Sequence, residues 1–157
     1  MTVEQMQYGR GLPDWFMRRF PGKTSTAVVT SSGTIDVQPD QEVTLLQLTG
    51  RGWIDGFVLH VGNANGLVYQ KLKIEVDGVA YDYHMGVYFS PLIVESAKTG
   101  TYSKPVSLIE LDSTRKIYKY AWTSPIHFSK SVKIVYRNEA DTQFHRIALT
   151  ASAALEL

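Results

Sequence analysis

A chain of 157 residues matches the usual size of a single domain, and a make-up of 44% apolar and 20% charged residues is that of a globular protein rather than a disordered or fibrous one. Sixteen Lys and Arg against fifteen Asp and Glu leave a net charge of +1, which excludes a broad field for steering onto nucleic acid or an anionic membrane. The absence of cysteine excludes a disulfide framework, a thiolate metal site and a cysteine nucleophile.

The N-terminal MTVEQMQYGRG lacks the apolar stretch of a signal peptide, and no run approaches the ~18 apolar residues of a membrane span. Synthesis in a cytoplasm is therefore expected, which leaves open departure inside a finished particle. Residues 1–22 read as an N-terminal arm ahead of a domain at 23–157. Within the arm, PDWFMRRF (13–20) fits a short helix, with Pro13 at the first helical position and Pro21-Gly22 ending it. Trp15, Phe16 and Phe20 are too apolar for a free tail, so the arm either folds over its own domain or docks on a neighbouring subunit.

From Thr24 onward the pattern is of strands. Ala27–Thr30 and Thr34–Val37 flank a Ser-Ser-Gly turn, VTLLQL (43–48) follows, and IDGFVLHV (54–61) is a further strand with Gly56 at a bulge. LKIEV (72–76) alternates Leu72, Ile74 and Val76 with Lys73 and Glu75, and Asp77-Gly78 supplies the positive φ angles of a tight type I′ hairpin. Its return strand VAYDYH places Val79, Tyr81 and Tyr83 on one face. Gly86–Lys104 is a long loop containing Tyr88 and Phe89, a length that points to function or an interface, and FSPLIVES (89–96) within it also fits a short strand. VSLIEL (106–111), RKIYKYAW (115–122), VKIVYR (132–137) and QFHRIALTASAALEL (143–157) read as strands, the Ala-rich end of the last also fitting a helical turn.

About eight to ten such segments with no long helix between them predict an all-β antiparallel sandwich, with a single jelly roll preferred for its strand number and long end loops.

No catalytic constellation is visible. The four histidines at 60, 84, 127 and 145 have no close ligand spacing, although His60 and His84 can meet Asp55 or Asp82 in space. G-x-S-x-G is absent, and GRGWIDG (50–56) lacks the helix that a phosphate-binding glycine loop must open. Glu75, Asp77, Asp82, Glu95, Glu110 and Asp112 are available for acid–base work, most of them at outward or turn positions. No catalytic, cofactor-binding or metal-binding residue is assigned. Tyr118, Tyr120 and Trp122 alternate on one face of their strand, as a buried row or as a platform for sugar rings, and Trp53 can serve a ligand or a subunit contact.

GRGWIDGFVLHV, LKIEVDGVAYDYHMGVYF and SPIHFSKSVKIVYRNEAD resemble segments of the α-fructofuranosidase and difructose-anhydride-synthase family. The shared features are a glycine-led strand, a strand ending in a DG turn, and a strand with a basic lead-in ending in an N-x-x-D loop. The resemblance implies jelly-roll architecture. It implies no catalytic residue, because the acidic residue expected after the glycine of Tyr83-His84-Met85-Gly86-Val87-Tyr88-Phe89 is missing. In general plan the chain is similar to small phage virion proteins.

The sequence therefore reads as a non-enzymatic structural protein of a virus or bacteriophage particle, a capsid, decoration or tail component located in the virion. Its expected partners are copies of itself and other virion proteins, with contacts through Trp15, Phe16, Phe20, Tyr88 and Phe89. The alternative is a carbohydrate-binding sandwich that stacks sugars on Trp53, Tyr118, Tyr120 or Trp122.

Overall fold

The computed structural model describes residues 2–7, 25–88 and 106–156. Twelve strands are present among them: β1 (Thr2–Gln7), β2 (Ser25–Ser31), β3 (Ile35–Val37), β4 (Glu42–Thr49), β5 (Gly52–Gly62), β6 (Gln70–Val76), β7 (Val79–His84), β8 (Val106–Asp112), β9 (Ile117–Trp122), β10 (Ile126–Phe128), β11 (Ser131–Asn138) and β12 (His145–Glu156). A 3-10 turn at Leu67–Tyr69 precedes β6, and one helical turn at Met85–Tyr88 follows β7.

The strands form two antiparallel sheets. The larger runs β1-β2-β12-β5-β9-β8, with β3 also on β12 and β10 also on β5, and the smaller runs β4-β11-β6-β7. Both sheets interleave early and late strands, an order compatible with a jelly roll. The chain is an all-β sandwich. Among the described residues its core is the alternating inward set of the central strands, including Leu59 and Val61 of β5, Leu72 and Ile74 of β6, Tyr118 and Tyr120 of β9, Val132 and Ile134 of β11, and Ile147 and Leu149 of β12.

Local chemistry explains the turns. Asp77 and Gly78 both take positive φ, 51° and 88°, which gives the β6–β7 hairpin the twist its strands need. The register of β12 against β5 slips between Ser152 and Ala153, opposite Asp55 and Gly56, so the bulge expected at Gly56 is present. A Cβ on Gly56 would stand 2.6 Å from the Trp122 carbonyl oxygen, so only glycine lets β5 and β9 approach there.

Several expectations are corrected. The Ser-Ser-Gly turn reverses nothing: β2 and β3 both pair with β12, as one interrupted course along it. Ser32 bridges the interruption, its backbone N–H donating to the Leu149 carbonyl and its hydroxyl accepting from the Leu149 N–H, both at 2.9 Å. Residues 2–7 of the expected arm are a strand at the edge of the larger sheet. The helix expected at 13–20 lies outside the described residues. SPIHF contributes a strand, β10, that its short apolar content did not announce. The Ala-rich end of β12 stays extended to Glu156, paired with β2 on one side and β5 on the other, with Ala151, Ala153 and Ala154 buried.

Candidate functional site

One end of the sandwich holds a chain of buried polar groups that no local sequence pattern announced. Tyr136 projects from β11 of the smaller sheet and His145 from the first position of β12 in the larger, and the Tyr136 hydroxyl meets His145 Nδ1 at 2.8 Å. His145 Nε2 lies 2.8 Å from Asp141 Oδ2, and both side chains are fully buried. Asp141 accepts further hydrogen bonds from the Asn65 backbone N–H at 2.9 Å and from Asn65 Nδ2 at 2.6 Å.

The carboxylate fixes the tautomer. Both its oxygens accept from amide donors, which favours the ionised form, and beside a carboxylate a neutral His145 donates through Nε2–H and accepts from the Tyr136 O–H through Nδ1. Burial raises the carboxyl pKa, but the Asn65 N–H, the His145 donor and the Asn65 amide outweigh it and bring Asp141 down to about 2. Burial lowers the His145 pKa against the opposing pull of Asp141, and burial lifts Tyr136 far above the ordinary phenol range. All three therefore share one neutral-pH state: tyrosine, neutral imidazole, carboxylate.

A second polar bond crosses between the sheets nearby, from the Tyr120 hydroxyl to Gln70 Oε1 at 2.6 Å, and Gln70 Nε2 donates to the Gly66 carbonyl. Asn138 completes the end. Its Nδ2 donates to the carbonyls of Val37 and Gln143, its Oδ1 accepts from the Asp141 N–H, and its backbone exchanges hydrogen bonds with Asp40 and Gln41. Three connections, at 38–41, 63–66 and 139–144, are thus tied to one buried cluster.

Hydroxyl, imidazole and carboxylate in that order have the connectivity of a hydrolase triad. The Tyr136 and His145 side chains do not reach solvent, so the relay presents no nucleophile to a substrate. It is a framework element with titratable parts.

At the far end of β6 a second carboxylate is spent on backbone. Asp77 accepts from the N–H groups of Ser129, Lys130 and Ser131 and from the Ser129 hydroxyl, at 2.6 to 3.1 Å, and clips the β10–β11 turn to the β6–β7 hairpin. These backbone donors, Ser131 first, hold its carboxyl far below the ordinary range.

The structure places the remaining candidates as follows. Glu110 pairs with Lys119 at 2.6 Å and Asp112 with Arg115 at 2.7 Å, which accounts for both carboxylates as surface ion pairs. His60 is exposed on β5 of the larger sheet, and His84 lies half-buried on β7 of the smaller. Asp55 instead accepts from the Trp53 indole N–H at 2.9 Å and from the Ser152 hydroxyl. Among the described residues no group of three His, Asp or Glu could hold a metal ion.

Trp53, Tyr118, Tyr120 and Trp122 are 1%, 2%, 0% and 7% exposed. Their ring faces are packed in the interior, with Trp122 stacked on Phe57 at 5.6 Å and met edge-on by Tyr83 at 5.3 Å, so the folded domain does not offer them as platforms for sugars. Trp15, Phe16, Phe20 and Phe89 lie outside the described residues, and Tyr88 ends the helical turn after β7.

No family model matches the chain, and no curated protein does. The resemblance to the α-fructofuranosidase family finds no support in these comparisons. Among solved structures, a chain of the acid-stable capsid of Helicobacter pylori bacteriophage KHP30 is similar over 99% of this chain and 98% of its own, at 8% identity and a TM-score of 0.47. A likeness so loose assigns neither a fold nor a role.

Proposed function

We propose that the chain is a non-enzymatic building block, a single jelly roll that assembles with copies of itself in a virus or bacteriophage particle. The observation that carries the assembly reading is an apolar opening along one side of the sandwich. Tyr83 of β7 touches Trp122 of β9, and β8 is the next strand to β9, so β7 and β8 are the terminal strands of the two sheets on the same side. Val79 and Tyr81 of β7 share the inward face of Tyr83, and Leu111 of β8 sits opposite inward-facing Tyr118. Yet Val79, Tyr81 and Leu111 are 56%, 51% and 49% exposed, as is Ile109 at 55%.

Inward-directed apolar side chains on two adjacent terminal strands suit closure by a matching edge, and the same edge of a second copy supplies one by two-fold symmetry. The jelly-roll reading rests on the order β2-β12-β5-β9 opposed to β4-β11-β6-β7, with β1 and β8 as additions at the two ends of the larger sheet. The particle setting rests on the general plan read from the sequence.

Sedimentation velocity on the full chain tests the assembly. The wild type is expected to sediment as an oligomer, and a Tyr81→Lys, Leu111→Lys variant as a monomer with an unchanged β-sheet spectrum. A monomeric wild type at its highest soluble concentration overturns the reading, as does a variant that assembles normally. Replacing Trp15 and Phe16 by Ala tests the arm in the same way, with loss of oligomer expected and unchanged oligomer size refuting it.

A further inference from the structure

We propose that the Tyr136–His145–Asp141 relay is an acid-sensitive latch, which holds the 63–66 and 139–144 connections together at one end of the sandwich and releases them when His145 takes a second proton. The argument is one of proton positions. In the neutral relay every hydrogen has one acceptor: the Tyr136 O–H points to Nδ1, and Nε2–H points to Asp141. A second proton on His145 must sit on Nδ1, where it meets the Tyr136 hydroxyl at 2.8 Å. The hydroxyl can accept it only by turning its own hydrogen away. Among the described residues that hydroxyl has no other partner, and Tyr136 has no contact with water. A buried donor is then left unsatisfied.

The groups around the imidazole do not remove that conflict. β11 contributes Tyr136, and β9 contributes Tyr118 and Tyr120, all of them uncharged phenols with raised pKa. β3 contributes apolar Val37 in register with His145. The 63–66 connection contributes the neutral amide Asn65. Among the described residues the only facing charge is Asp141, which favours the cation but is already shared with two Asn65 donors. At the rim, Lys116 is engaged by Gln143 and Arg137 by Glu139.

Opening resolves the conflict, because it hydrates the imidazolium and the phenol together. The parts that separate are defined by the bonds already described: Asn65 on Asp141, Asn63 Nδ2 on the Phe144 carbonyl, and the Glu139 N–H on the Tyr69 carbonyl. The strands beneath, paired along β11 and β12, need not part.

Amide hydrogen exchange on the full chain between pH 7.5 and 5.5 tests this, with rates corrected for the intrinsic chemistry of exchange. The opening constant read at Asn65, Asp141 and Gln143 should rise about tenfold per pH unit below about pH 6.5, as one-proton coupling demands, while Leu59 and Ile134 stay protected. His145→Gln removes the titrating ring, so the rise flattens. Imidazole nitrogen NMR of the wild type at pH 7.5 should show Nε2 protonated and Nδ1 bare. A pH-independent opening constant, an equal rise at Leu59 and Ile134, an unchanged rise in His145→Gln, or a protonated Nδ1 at pH 7.5 would each overturn the proposal.

Discussion

Asp77 lies in the β6–β7 hairpin and Ser129 in the connection from β10 to β11, yet both carboxylate oxygens of Asp77 receive the Ser129 N–H, at 3.1 and 3.0 Å, and one also receives its hydroxyl. The same carboxylate orders Lys130 and Ser131, so one side chain sets the geometry of two turns.

Asp77→Ala should therefore lower the thermal midpoint more than Asp77→Asn, whose amide oxygen still accepts from one or two of these donors. The folded pKa lies below the ordinary 3.8. The stabilisation is thus present above that value and lost as pH falls below it toward the folded pKa. Thermal scans from pH 7 to 2 should show a shallower acid limb in Asp77→Asn than in the wild type, and superimposable limbs would refute this role.

Gly56 and Gly66 predict opposite outcomes for the same substitution. Gly56→Ala drives a Cβ against the Trp122 carbonyl at 2.6 Å, and relief requires β5 and β9 to move apart. Urea unfolding should register about 1–3 kcal/mol of destabilisation, the range for overpacking a tight contact. Gly66 has extended φ and no atom within 4 Å of an added Cβ, so Gly66→Ala should leave the midpoint unchanged.

The Tyr120–Gln70 bond joins the sheets through their interior. Tyr120→Phe leaves the buried Gln70 Oε1 without its donor and should cost about 1–3 kcal/mol in chemical denaturation. Adding Gln70→Leu should return part of that loss, because both ends of the bond then become apolar. A double variant as unstable as the two single losses added together would argue against it.

His145 sets the upper part of the acid response. Its folded pKa lies below the 6.5 of an ordinary histidine, so the unfolded chain takes up a proton that the folded chain refuses. The stabilisation is full above about pH 6.5 and falls as pH drops from there toward the folded pKa, at no more than about 1.4 kcal/mol per pH unit for one proton. Asp141, brought down to about 2, adds a second decline below its ordinary 3.8. His145→Gln should abolish the upper decline and retain the lower one in denaturation curves taken across that range.

The sequence made the strands legible wherever one face was buried and one wet, as in Leu72-Lys73-Ile74-Glu75-Val76, and the Asp77-Gly78 hairpin followed from φ angles that few other pairs tolerate. It also marked Tyr118, Tyr120 and Trp122 as one face, and left open whether that face was buried or presented to a ligand. Nothing local could decide, because the answer lay in β6 and β7 packed above them. The relay was illegible for the same reason: Tyr136 and His145 stand on different sheets and meet only when those sheets close. Asp141 and His145 are four apart, and with Asn138-x-x-Asp141 they carried a signal that spacing alone could not distinguish from an ordinary loop. β10 was missed because three residues with one polar position between two apolar ones carry too little periodicity to stand out.

Placement of β12 has a consequence for the order of events during synthesis. This strand pairs with β2 and β3 on one side and β5 on the other, so the middle of the larger sheet is the last part of the sandwich to be made. Until residues 145–156 leave the ribosome, β2 and β5 lack the partner that joins them. Joining β1-β2 to β5-β9-β8 is then a late event, and it should be slow for the chain's length because the β2–β12 contacts span more than a hundred residues.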